Sequence, residues 1–142
     1  MLPEGNGLPT VVTHLGGSKF AIRIRSHEII VDQTIRGGGT DSAPTPLELL
    51  GASLGSCIGY YVSQFLMARH LPVEGLRVEV VQTKTSNPSR VESFAVHVML
   101  PDRLPAEYAG MIGRVVKTCP AHNTLAAGAV VNVDIGQGAL IG

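Results

Sequence analysis

A long helix is predicted over residues 45–72, which read TPLELLGASLGSCIGYYVSQFLMARHLP. Thr45 suits the N-cap position, Pro46 suits the first helical position, and Glu48 can return a hydrogen bond to the cap. Apolar residues then recur at steps of three and four, which predicts one continuous stripe that faces a core. This stripe comprises Leu47, Leu50, Leu54, Cys57 or Ile58, Tyr61, Phe65 and Ala68. The helix is therefore expected at the centre of the fold.

The middle of this helix carries no charge, because the next charged residue after Glu48 is Arg69. That length is close to a membrane span, but serines, a glutamine and three glycines dilute the apolar run. Strand patterns on both sides favour a buried central helix over a membrane segment. The glycines Gly51, Gly55 and Gly59 fall four residues apart. They predict a nearly bare face that another helix, from the same chain or a twin, approaches closely.

Alternating apolar and polar residues predict strands before and after the helix. The first three lie at Val11 to Thr13, Phe20 to Ile24 and Glu28 to Asp32, with Gly16-Gly17-Ser18 as the first hairpin turn. The later elements are a hairpin with strands at 75–83 and 91–100, then helices from Pro105 to Cys119 and from Pro120 to Ala127. A last strand is predicted from Ala129 to Ile135. The prediction is one α+β domain over residues 1–142, with two main helices on a mostly antiparallel sheet.

Size, charge and cysteine content narrow the function classes. The chain has the length of one ordinary domain, and its 11 basic side chains balance 11 acidic ones, so no overall field attracts nucleic acid or an anionic membrane. The first ten residues, MLPEGNGLPT, lack a secretory signal, which predicts a cytoplasmic protein. Cytosolic reductants keep most thiols reduced, so a disulfide between the two cysteines is expected to be transient.

The glycine-rich segment from Arg36 to Asp41 is predicted as a flexible connection. It lacks the Gly-Lys-Ser/Thr ending with which a P-loop holds phosphate and Mg²⁺. The sequence therefore does not favour a phosphate-binding loop.

The two thiols are the strongest nucleophiles in the sequence. Cys57 has serine and glycine neighbours, so a small oxidant could reach it, and Cys119 precedes Pro120 at a predicted helix start, where unpaired N–H groups favour a thiolate. The predicted inner face of the second helix comprises Tyr108, Met111, Ile112, Val115 and Cys119. The alternative is that both thiols are protonated core residues. Two packed helices can place Cα atoms about 4.4–6.8 Å apart, as a disulfide requires, but the sequence does not show that these helices meet.

Two motifs together resemble a known family. PLELLGASLGSC, residues 46–57, followed much later by CPAH, residues 119–122, resembles the paired signature of the OsmC/Ohr family of hydroperoxide reductases. The predicted order of strands and helices is similar to that family as well. The resemblance implies an OsmC-like fold in an intertwined homodimer, with each active site at the subunit interface. It implies no metal, haem or other cofactor.

The resemblance also implies a two-cysteine peroxidase. Cys57 would attack a small hydroperoxide and become a sulfenic acid, and Cys119 would condense with it to a disulfide. A dithiol reductant, such as a lipoylated protein, would reopen that disulfide. The rival interpretation is a non-catalytic module that keeps this fold and binds a small apolar ligand, with both cysteines simply in the core.

The family uses a carboxylate and an arginine to activate the attacking thiolate, and both positions differ here. The family's Glu corresponds to Leu47, and this chain has Glu48 instead. On a straight helix Glu48 would face away from Cys57, so the capping box explains it, and a catalytic part requires reach across the dimer interface. The arginine corresponds to Lys19, which lacks the two-pronged hydrogen bonding of a guanidinium. The alternatives to Lys19 are Arg23, Arg25 and Arg36.

His122 is a further candidate for a supporting role. It lies three residues beyond Cys119, so it would share that residue's helix face and lower the thiol's pKa when charged, or shuttle a proton. The alternative is a helix-end histidine bonded to backbone. Cys119 and His122 also make half of a zinc motif, but no Cys-x-x-Cys completes it and the other histidines are scattered. A metal site is therefore not predicted.

Overall fold

A computed structural model of the chain describes residues 7–136. Contacts between Cα atoms divide these residues into two units. The first comprises residues 7–43 and 128–136, and the second comprises Pro44–Ala127. The predicted α+β class is confirmed, and every strand pair in the described residues is antiparallel.

The first unit contains a three-stranded sheet. Its strands are β1 (Val11–Gly16), β2 (Lys19–Ile24) and β3 (His27–Val31), hydrogen-bonded in that order. The predicted hairpin turn is confirmed, since β1 pairs with β2 through Gly16 and Gly17, whose φ angles of 113° and 55° suit glycine. Many large apolar side chains of this sheet are exposed, including Val11, Val12, Leu15, Ile29 and Ile30.

Asp32 follows β3, is fully buried and organises the loop after it. Its carboxylate accepts hydrogen bonds from the hydroxyls of Ser18, Thr40 and Ser42 at 2.5, 2.8 and 2.8 Å. Three backbone N–H groups donate to it as well. These bonds, with that of Ser18 the strongest influence, hold the pKa of Asp32 far below its usual range. The glycine-rich segment is predicted as a flexible connection, but Thr40 in it donates two hydrogen bonds to the buried Asp32 carboxylate, which hold the segment in place.

The second unit is built on α1 (Pro46–Ala68). Its predicted capping box is confirmed, because the Glu48 N–H donates to Thr45 Oγ1 at 3.1 Å and the Thr45 N–H donates to Glu48 Oε1 at 2.8 Å. Throughout residues 7–136, no helix has the length and hydropathy that crossing a membrane requires.

Helix α1 ends at Ala68, earlier than the predicted end at Leu71-Pro72. His70 adopts a left-handed conformation with φ of 54°, and its N–H donates to the Met67 carbonyl at 3.1 Å. The Leu71 N–H donates to the Leu66 carbonyl at 2.9 Å. This is a Schellman motif, in which the left-handed residue is usually glycine. Because histidine takes that position here, the sequence carries no glycine signal for the helix end.

The other elements of this unit are β4 (Arg77–Thr85), β5 (Arg90–Met99), α2 (Tyr108–Val116) and α3 (Pro120–Ala127). The predicted hairpin is confirmed, since β4 and β5 pair antiparallel on either side of residues 86–89. One buried core joins the helices. It comprises Leu54, Ile58, Val62 and Leu66 of α1, Ile112 of α2, and Cys119.

The three glycines of α1 contact a strand, which corrects the prediction that they face another helix. A Cβ atom on Gly51 would lie 2.6 Å from Gln82 Oε1, and one on Gly55 would lie 3.0 Å from Val80 Cγ2, both on β4. Gln82 also donates from Nε2 to the Leu47 carbonyl at 2.9 Å. Small residues predict a close approach, but they do not determine what approaches.

The predicted inner face of α2 is partly wrong. Ile112 is buried, and Tyr108 and Val116 pack against the core, so the inward residues recur every four positions. Met111 is 38% exposed. Cys119 lies between α2 and α3 rather than on α2, because the helix ends at Val116. The short third helix from Pro120 through Ala127 is confirmed.

The last predicted strand, Ala129 to Ile135, is absent from the described structure, where this segment forms no regular element. A strand requires a hydrogen-bonded neighbour, and the strand pairs of residues 7–136 do not include this segment. Its large apolar side chains are exposed. They are Val130, Val131, Val133 and Ile135.

Candidate active site

Folding brings the two thiols together inside the second unit. Cys57 lies on α1 beside the core and is partly exposed, whereas Cys119 belongs to the core and is fully buried. Both are free thiols, and the neighbouring Cys57 thiol contributes to raising the pKa of Cys119. Two residues 62 positions apart in the sequence are thus neighbours in one core, since Cys57 packs against the cluster that includes Cys119.

Cys119 forms the N-cap of α3. Its carbonyl accepts the first helical hydrogen bond, from the Asn123 N–H at 3.0 Å, and its Sγ accepts from the His122 N–H at 3.4 Å. The thiol takes the place of the Ser, Thr or Asp side chain that usually caps a helix.

The surroundings of Cys119 act on its pKa in opposite directions. Burial raises the pKa most, and the hydrogen bond with Cys57 raises it further. The N–H groups of His122 and Ala121 lower it. The net effect is a raised pKa, so at neutral pH Cys119 holds its proton. The helix-start argument from the sequence identified the lowering influence correctly, but it could not weigh that influence against burial.

His122 donates a hydrogen bond to Cys119 Sγ from its backbone N–H. The ring Nδ1 lies 2.9 Å from Asn123 Oδ1. The sequence indicated His122 but not Asn123. An asparagine directly after a candidate histidine is a signal for an amide that orients the imidazole ring.

An apolar groove of about 570 Å³ lies between α1, β5 and α3. Its walls include Leu50 and Leu54 of α1, Phe94 of β5, and His122 and Leu125 of α3. Leu54 is one helical turn before Cys57, and His122 contacts the sulfur of Cys119. Residues close to both cysteines therefore line the groove, although neither cysteine does.

A second groove, of about 580 Å³, lies between α1 and β4, on the glycine face of the helix. Glu48, Arg77 and Gln82 are among the residues that line it. Glu48 is thus exposed to this polar groove while it closes the capping box. The backbone N–H of Thr45, followed by the Thr45 side chain, lowers the pKa of Glu48.

The remaining candidates lie outside the unit that holds the thiols. Lys19 begins β2 in the first unit. Arg23, on the same strand, forms an exposed ion pair with Glu28 at 3.7 Å. Within residues 7–136, no three His, Cys, Asp or Glu side chains are close enough to bind one metal ion. The structure thus brings together Cys57, Cys119 and His122, and it assigns Glu48 to the helix cap.

Comparison with known proteins gives a consistent family. A family model described as OsmC-like protein matches residues 39–134, about two thirds of the chain. A Psychrobacter arcticus structure named for an osmotic stress induced and detoxification response is 22% identical, with a TM-score of 0.77 over 87% of this chain and 91% of that chain. An OsmC-like protein of Mycoplasma pneumoniae is 21% identical, with a TM-score of 0.71 over 87% and 89%.

A third solved structure is the organic hydroperoxide resistance protein OsmC of Legionella pneumophila. It is 16% identical, with a TM-score of 0.61 over 85% of this chain and 91% of that chain. At these identities the structures show a shared fold. No curated protein matches the chain.

Proposed function

This chain belongs to the OsmC-like family, and we propose that it is a thiol-dependent peroxidase that reduces organic hydroperoxides or hydrogen peroxide through a disulfide cycle between Cys57 and Cys119. One observation carries the proposal. Two free thiols from distant parts of the sequence are neighbours in one core, and one of them is partly exposed while the other is buried. The Legionella pneumophila protein with the same fold is named for organic hydroperoxide resistance, which supports the same chemistry.

Cys57 is the attacking thiol in this cycle. Its partial exposure admits a small oxidant. The Cys57 thiolate attacks the terminal oxygen of the hydroperoxide. An S–O bond forms, and the O–O bond breaks with its electron pair on the departing oxygen. Cys57 becomes a sulfenic acid, and the departing oxygen takes a proton to give an alcohol or water.

Cys119 is the resolving thiol. Its sulfur attacks the sulfur of the Cys57 sulfenic acid, an S–S bond forms, and hydroxide leaves with the thiol proton as water. The two thiols are neighbours in the same core, which favours this step. A dithiol reductant, such as a lipoylated protein, reopens the disulfide by exchange and becomes a disulfide itself. We place this cycle in the cytoplasm, where reductants keep thiols reduced.

The apolar groove favours organic hydroperoxides as substrates. A groove of about 570 Å³ has the size of a small-molecule site, and leucine, phenylalanine and valine side chains form most of its walls. An alkyl or aryl tail can lie in it while the peroxide group reaches Cys57. Hydrogen peroxide has no tail, so it gains nothing from these walls.

The partner of the chain, in this proposal, is a second copy in a homodimer. Support comes from the apolar side chains that the described chain leaves uncovered, on β1 and in the segment Ala129 to Ile135. That segment has the alternating sequence of a strand, and another copy can supply the neighbour that it lacks.

The dimer proposal is tested by the mass of the native protein. Light scattering should give twice the 14.9 kDa of one chain. Val133→Asp should weaken association, and Asn132→Asp, which adds the same charge one residue earlier, is the matched control. A mass of one chain at every concentration would rule out the homodimer.

The peroxidase proposal is tested by mixing reduced protein with cumene hydroperoxide. Two thiols should be consumed per peroxide, with an intramolecular disulfide as product. Cys57→Ser should consume no peroxide above the buffer rate. Cys119→Ser should react once and stop at a sulfenic acid that dimedone traps. Ser56→Ala, next to the attacking thiol, is the matched control and should behave as the parent.

The rival function is a non-catalytic module that binds a small apolar ligand. The observation in its favour is the same apolar groove together with the burial of Cys119. A Cys57 that reacts slowly with iodoacetamide at neutral pH and not at all with cumene hydroperoxide would favour this rival. Peroxide consumption by Cys57→Ser at the parent rate would show that the assigned thiol roles are wrong.

A further inference from the structure

His122 is held by two hydrogen bonds that leave one ring nitrogen free. Its backbone N–H donates to Cys119 Sγ at 3.4 Å, which fixes the residue beside the thiol pair. Its ring Nδ1 lies 2.9 Å from Asn123 Oδ1. An amide oxygen accepts hydrogen bonds, so Nδ1 carries the proton in the neutral ring. Nε2 is then the ring nitrogen without a hydrogen-bond partner among residues 7–136.

His122 lines the apolar groove together with the leucines of α1. One of these, Leu54, is one turn before Cys57 on α1, so the groove lies near the attacking thiol. A hydroperoxide with its tail in the groove presents its terminal oxygen to Cys57. Its second oxygen, which bears the organic group, then lies on the groove side, where His122 is.

Arg90, Glu92 and His122 are the charged or titratable side chains that line this groove, and Cys119 lies behind His122. The wall formed by α1 is apolar, with Leu47, Leu50 and Leu54. Arginine keeps its proton in proteins, and an ionised carboxylate has none to give. Imidazole both donates and accepts a proton near neutral pH. His122 is therefore the lining group suited to proton transfer.

We propose that His122 is a catalytic residue of this site, which protonates the alkoxide released when Cys57 attacks an organic hydroperoxide, and that Asn123 positions its ring. The inference rests on the proposed peroxidase function. As the O–O bond breaks, its electron pair goes to the organic oxygen, and that oxygen takes the proton from Nε2 of the charged ring. The alcohol leaves, and the neutral ring regains a proton from water. Asn123 accepts from Nδ1 in both states.

The test compares three reagents that differ in what leaves Cys57. Cumene hydroperoxide releases a strongly basic alkoxide, peracetic acid releases weakly basic acetate, and iodoacetamide releases iodide. Only the first leaving group needs a proton. His122→Gln keeps the backbone N–H that caps Cys119, so it removes the ring alone. We expect it to slow the reaction with cumene hydroperoxide by about 10²-fold and to leave the other two rates nearly unchanged.

Two further variants complete the test. Asn123→Ala should reproduce the selective loss in weaker form, because it releases the ring without removing it. His27→Gln, at the start of β3 in the first unit, is the matched control and should leave all three rates unchanged.

The outcomes separate the explanations. An equal loss with all three reagents would assign His122 to the thiol or to the local structure, and an unchanged rate with cumene hydroperoxide would give it no role. Either result overturns the inference while the peroxidase function stands. If the parent protein is alkylated by iodoacetamide but is not oxidised by either peroxide, the peroxidase function itself fails, and the inference fails with it.

Discussion

The two units of the chain bury different kinds of side chain. In the first, the buried side chains of residues 7–43 and 128–136 are Val31 and Asp32, and the carboxylate gathers hydroxyl and N–H groups around itself. In the second, one apolar core surrounds α1 and includes the thiol of Cys119. A pair of reacting thiols needs a fixed geometry, and a densely packed core supplies it. The three-stranded sheet of the first unit, whose apolar side chains stay exposed, is better suited to contact with another molecule.

The comparison predicts that the largest loss of stability follows from truncation in the core of α1. Leu66 is fully buried, so Leu66→Ala should lower the free energy of unfolding by about 2–5 kcal/mol through lost burial and a cavity. Chemical denaturation measures the change. Met67→Ala is the matched control, because Met67 is the next residue on the same helix and is 49% exposed. Equal effects of the two substitutions would contradict the assignment of Leu66 to the core of the second unit.

A smaller loss is expected from Asp32→Asn, because an amide cannot accept all the hydrogen bonds that the carboxylate accepts. We expect the variant to melt at a lower temperature at pH 7. Asp41→Asn is the matched control, because Asp41 is exposed and its φ of 54° suits asparagine. If both variants melt like the parent, the network around Asp32 does not stabilise the first unit.

The same substitution has a signature in the pH dependence of stability. The pKa of Asp32 is depressed in the folded state, so the ionised carboxylate stabilises the fold fully above the ordinary Asp value, about 3.9. That contribution is lost as the pH falls below this value. The parent should therefore lose more stability than Asp32→Asn between pH 5 and pH 3, by denaturation at each pH. Parallel curves would contradict the assigned cause.

Sequence reasoning succeeded where the structure depends on neighbours along the chain. The capping box of Thr45 and Glu48 and the turn at Gly16 and Gly17 involve residues within four positions of each other, so the sequence contains all of the partners. The end of α1 was missed because His70 occupies a position that normally carries glycine. The segment Ala129 to Ile135 has a strand's alternation, but pairing depends on a neighbour that the alternation does not specify.

The candidate site also has some features that the sequence predicts and others that it does not. Two short motifs were sufficient to indicate the family, which the match over residues 39–134 confirms. They could not show that Cys57 and Cys119 are neighbours in one core, since that depends on how the helices pack. Nor could they show that burial outweighs the helix start in its effect on the pKa of Cys119. Both features depend on packing between residues that are distant in the sequence.

The sulfur of Cys119 has one structural role in the fold and a second in the proposed cycle. As a thiol it closes the first turn of α3, and in the proposed cycle it also accepts a covalent bond from α1. The helix that it caps carries His122 and Leu125, which form one wall of the apolar groove. If the proposed disulfide forms, a bond made at this single atom would change the anchoring of that wall. The shape offered to an incoming molecule would then depend on whether the protein is oxidised or reduced.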